Sequence, residues 1–85
     1  MLNVFIVTIA PGHDPSKLLS EETLQETQAQ VMTTEEARAV GFTGIPEGAE
    51  DNIRLIAVAA RDARWIQRAL EGNHAVTSYR VKEIE

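Results

Sequence analysis

Two apolar runs, a change of hydrophobic period across residues 53–84, and a length that allows only one core together predict a small two-layer α/β fold. Residues 53–60 are apolar except for Arg54 and rich in Ile and Val, which is the length and composition of a buried strand. Asp62 then offers a side-chain oxygen to cap a helix, along which Ala63, Ile66, Ala69 and Leu70 recur at helical spacing. Gly72 and Asn73 mark its end, since both accept the left-handed conformation a helix C-terminus often needs. From 75 to 84, Thr77, Tyr79 and Val81 alternate with Ser78, Arg80 and Lys82, the pattern of an edge or half-exposed strand whose charges discourage further pairing.

The other elements follow in chain order. In residues 2–10, Leu2, Val4 and Ile6 alternate with Phe5, Val7 and Ile9, so both faces are apolar and the strand is central. Pro11-Gly12 ends it, and His13 to Ser16 continue as a turn. Ser20 caps a helix from about residue 21, with Glu21 and Glu22 at its positive end and Leu19 able to pack on Leu24. Thr33 and Glu36 form a capping-box pattern that opens a helical segment ending near Val40, before Gly41. Residues 21–40 are compatible with one kinked helix, two helices, or a helix and a short strand around Gln30–Met32. Residues 41–52 hold three glycines and a proline and read as a loop, in which Phe42 and Ile45 either pin it to the body or form a lid over a ligand.

A chain of 85 residues makes one domain, 1–85. A right-handed crossover that skips a position puts strands 53–60 and 75–84 on either side of strand 2–10. That is the ferredoxin-like topology or a related split βαβ, with three to four strands and the helices on one face. The candidate for the fourth strand is residues 29–33.

Composition removes several classes of function. Without cysteine there is no disulfide, thiolate metal site or cysteine nucleophile, which argues for a cytoplasmic location. The run 4–10 is far shorter than the roughly 20 residues of a membrane span, so no membrane association is expected. The loop 41–48 lacks the spacing and the lysine of a phosphate cradle. The acid pairs Glu21-Glu22 and Glu35-Glu36 sit in first turns, where they complement the helix dipole, and no metal cluster or cofactor motif is found.

Three groups of residues remain as candidates. His13-Asp14 is the one adjacent pair with catalytic character, because a carboxylate can orient an imidazole as a base; a plain turn after a strand is the favoured reading of it. His74 follows a helix end, where a partly positive imidazole is favoured. Arg61, Arg64 and Arg68 line one helical side with Trp65 beside them, able to stack on a guanidinium and to grip an acidic group. Finally, two strands apolar on both faces leave one sheet face without cover. This predicts a homodimer, or a protein partner, meeting Val4, Ile6, Ile56 and Val58.

Charge is uneven along the chain. Residues 1–53 contain nine acids and two bases (−7) and residues 54–85 six bases and four acids (+2), summing to −5. The acidic total and only four aromatic residues disfavour nucleic acid. The expected function is thus a small non-enzymatic binding or regulatory module acting through homodimerisation or protein contact. The alternatives are a small enzyme using His13, or a weak nucleic-acid binder using the arginine face; a small-molecule ligand stays open.

Overall fold

The computed structural model describes residues 1–14, 18–42 and 52–84. Its elements are β1 (Leu2–Ile9), α1 (Glu21–Thr27), β2 (Gln30–Thr33), α2 (Thr34–Ala39), β3 (Ile53–Ala59), α3 (Ala63–Glu71) and β4 (Val76–Ile84), with a 3-10 turn at Ala60–Asp62 leading into α3. The four strands form one sheet in the order β2-β3-β1-β4, antiparallel at every pairing. The strand expected near residues 29–33 is β2, and β1 lies between β3 and β4, as a crossover that skips a position requires. Residues 43–51 lie outside the described residues, and with them Ile45 and the possible lid.

The register explains the burial. Phe5 lies opposite Ile56 and Val81, whereas Val4 lies opposite Ala57 and Lys82, so alternate residues of β1 serve opposite faces. On the first face Phe5, Val7, Ile9, Ile56 and Val58 are buried together with Ile66 and Leu70 of α3 and with Leu18 and Leu19, and Leu24 of α1 packs at the margin. On the second, Val4, Ile6, Ile53, Leu55 and Ala57 are buried with Ala37 of α2, and Leu2, Met32, Phe42 and Ile84 pack around them.

Helices therefore contribute to both faces rather than one. The β4 side of the second face carries Ser78, Arg80 and Lys82, which face solvent, so the apolar part of that face is confined to β1, β3 and their neighbours. The expected dimer surface is corrected by the same facts. Val4 (2 % exposed), Ile6 (9 %), Ile56 (0 %) and Val58 (2 %) are buried within the single chain, and they belong to two opposite faces. Folded chains cannot meet through them.

Local signals decide the helix ends. Ser20 accepts from the Thr23 amide at 3.2 Å, and the Thr33–Glu36 capping box is complete, with bonds of 3.1 and 3.2 Å. α1 ends on Gln28 in the left-handed region (φ 54°), where the Thr27 hydroxyl donates to Thr23 O and accepts from the Ala29 amide. Two expectations at α3 are corrected. Asp62 makes no capping bond, because its backbone belongs to the 3-10 turn and its carboxylate turns toward Arg61 at 3.5 Å. Gly72 is right-handed (φ −86°), so its conformation does not require glycine.

Asn73 does more than end a helix. Its Nδ2 donates to Leu18 O at 3.1 Å and its Oδ1 accepts from the Ala75 amide at 2.9 Å, tying the α3–β4 corner to the segment before α1. Asn73→Ala should lower stability in urea unfolding by about 1–2 kcal/mol, since it removes both bonds and strands a half-buried carbonyl. Ile56→Ala, at the centre of the sheet, should cost about 2–5 kcal/mol, a large part of what a small domain has.

Candidate functional site

The outer side of α3 and the 3-10 turn before it carry a group of exposed arginines beside an exposed aromatic ring. Ile66 and Leu70 turn into the core, which sends Arg61, Arg64 and Arg68, three and four residues apart, to solvent. Trp65 is 51 % exposed, and the Arg68 guanidinium lies 5.5 Å from the centre of its ring, a cation–π contact. On its other flank Trp65 borders a cleft of about 190 Å³ between α1 and α3, shared with Thr23, Glu26, Thr27 and Asp62.

Two features keep the arginine charge available. No acid occupies the first turn of α3, so Arg64 stands near the positive end of the helix dipole, which Asp62 at the N-cap offsets in part. Glu71, three residues beyond Arg68, is held elsewhere: it accepts from the Tyr79 hydroxyl at 2.9 Å and from Gln67 Nε2 at 3.3 Å. Among the described residues Arg64 and Arg68 have no carboxylate partner, and Arg61 has Asp62.

The other candidates are dispersed. His13 lines an open cleft with Ser20, Thr23, Asn73 and His74, whereas Asp14 lines a separate cleft of about 340 Å³ with Leu24, Val31, Glu36 and Arg54. Arg54 lies on the helix-covered side of β3 and donates to Ile53 O at 2.8 Å, and Arg80 is on the opposite sheet face. The basic residues therefore do not form one continuous face with α3. Among the described residues no three His, Asp or Glu side chains gather as a metal site, and no helix is long and apolar enough to cross a membrane.

Sequence reasoning missed the Tyr79–Glu71–Gln67 group. The spacing of Gln67 and Glu71 was a signal for one half of it, but Tyr79 joins only through the α3–β4 packing. Comparison with known proteins finds no matching family model and no matching curated protein.

Partial burial raises the Tyr79 pKa above the ordinary value of about 10, and the hydrogen bond to Glu71 and its negative charge act in the same direction. The neutral phenol is thus favoured in the folded chain, and its contribution to stability is present below pH 10 and lost as pH rises through the folded pKa. Because Tyr79 is the one tyrosine, absorbance near 295 nm reports it alone. The midpoint should lie above that of free tyrosine, and Glu71→Gln should move it back toward that value.

Proposed function

We propose that this chain is a small non-enzymatic binding module that takes an acidic group of a partner protein on Arg61, Arg64 and Arg68, with Trp65 as the apolar anchor. The observation that carries this reading is the exposed Trp65–Arg68 stack, beside Arg64 at the positive end of the helix dipole, with the last-turn carboxylate Glu71 already engaged. Tryptophan and arginine are the residue types that most often dominate protein interfaces, because one buries a large ring and the other keeps several hydrogen bonds as water leaves.

The chain's own acidic elements make a second copy an eligible partner. Glu21, Glu22 and Glu26 of α1 and Glu35 and Glu36 of α2 are exposed, so association of two copies would match acidic helices to the α3 ridge. The cysteine-free composition suits a reducing compartment, and we place the module in the cytoplasm on that ground.

Binding of a fluorescent oligo-glutamate peptide, followed by anisotropy at low and moderate salt, tests the arginine ridge. Replacing all three arginines by glutamine should weaken binding by at least about tenfold at low salt and flatten its salt dependence. Trp65→Ala should weaken binding while leaving the salt dependence in place. Light scattering of the same samples reads self-association. If the triple variant binds the peptide, or itself, as the parent does, the arginines are a solvated face and the proposal fails.

A further inference from the structure

We infer that two copies of this chain pair through the α1–α3 layer about a two-fold axis running along the helices, so that α1 of each copy lies on α3 of the other. The inference rests on the reading of the arginine ridge above and names the partner. Within one chain the two helices touch and run antiparallel. The end of α1 (Glu26, Thr27) shares a cleft with the start of α3 (Asp62, Trp65), and Ser20, before α1, shares another with the last turn of α3 (Ala69, Gly72).

The outward charges of the two helices match. Glu22 and Glu26 of α1 and Arg64 and Arg68 of α3 are exposed, and each pair is four residues apart, which is about 6 Å along a helix axis. Among the described residues neither glutamate has a basic partner and neither arginine a carboxylate. Chain direction then selects the axis. Glu26 borders the same cleft as Trp65, next to Arg64, so the two helices carry their charges at the same levels. An axis along the helices keeps those levels and brings Glu26 over Arg64 and Glu22 over Arg68, twice by symmetry. An axis across the helices sets α1 on α1 and α3 on α3, acid on acid and arginine on arginine, which repels. The favourable axis passes over the seam between the helices, where Trp65, 51 % exposed, meets its symmetry mate. α2, the other acidic helix, packs on the opposite sheet face and takes no part. A net charge of −5 on each copy repels at long range, so pairing needs a local match of this kind.

Sedimentation velocity on the intact chain tests the pairing. The parent should dimerise, with the dimer fraction falling as salt rises. Reversing one side, by Arg64→Glu with Arg68→Glu or by Glu22→Lys with Glu26→Lys, should weaken self-association at least about tenfold, because like charges then face each other. An equal mixture of the two reversed variants should restore the dimer, since each α1 again meets the opposite charge on the other copy's α3. The neutral variant Glu22→Gln with Glu26→Gln keeps good helix formers in place and should also weaken pairing, and it decides the matter if a reversed variant does not fold. A parent that stays monomeric up to about 1 mM while still taking the oligo-glutamate peptide would overturn the pairing and leave the reading of the ridge standing; failure of the peptide to bind as well would overturn both. Self-association undiminished in the reversed or neutral variants, or a mixture of folded reversed variants that stays monomeric, would also overturn it.

Discussion

The rest of the structure depends on β1 being apolar on both faces and paired along both edges. A strand of that kind cannot lie against water anywhere, so every other element acts as its cover or its neighbour. α3, α1 and the Leu18-Leu19 pair close one side; α2, Met32 and Phe42 pack on the other. An 85-residue chain has little hydrocarbon to divide between two faces, and it divides it unequally. The side under α3 takes Phe5, Ile56, Ile66 and Leu70, while among the described residues the second side has Ala37 of α2 with Leu2, Met32, Phe42 and Ile84 around its strand residues.

Much of this was legible from pattern. Alternation in residues 2–10, the apolar run at 53–60 and the capping signals at Ser20 and Thr33 are local rules obeyed locally, and the structure keeps each of them. The failures have two causes: burial is a property of the whole chain, and a cap depends on backbone conformation as well as residue type. The expected dimer face, Val4, Ile6, Ile56 and Val58, rested on too few residues being left for cover, and spacing could not reveal that Ala37, Leu2, Met32, Phe42 and Ile84 gather from separate elements against Val4 and Ile6. Asp62 looked like a cap because its type is right, but the 3-10 turn gave its backbone the wrong conformation for it. The arginine side of α3 was readable because helical spacing alone predicts it. The fate of Glu71 was not, since its partner Tyr79 comes from another element.

Electrostatics then separates what stabilises the domain from what is left for a partner. Acids at the starts of α1 and α2 agree with the dipoles of those helices and have capping partners nearby. At α3 the pattern is mixed: Asp62 stands at the N-cap, Arg61 and Arg64 flank the start, and in the last turn Arg68 is followed by Glu71, which is turned toward β4. The acidic and basic parts of the sequence thereby become two kinds of helix side by side on one sheet face, since α1 and α3 are in contact. The same layer presents both signs of charge, and Trp65 stands at the seam between them.

The sheet edges narrow where a partner can dock. β4 is a nine-residue edge strand and would be the natural template for adding another strand. Its Arg80 and Lys82 share one face, so a second β4 laid antiparallel in register around Val81 would set Arg80 against Lys82 twice, like charge opposite like. β2, the other edge, has four residues, is preceded by the left-handed Gln28 and runs directly into α2, which leaves little straight backbone to extend. Both apolar sheet faces are covered and both edges are blunted. Among the described residues the outer side of α3 offers an exposed large ring beside Arg64 and Arg68, and this is the surface on which the proposed acidic partner would dock.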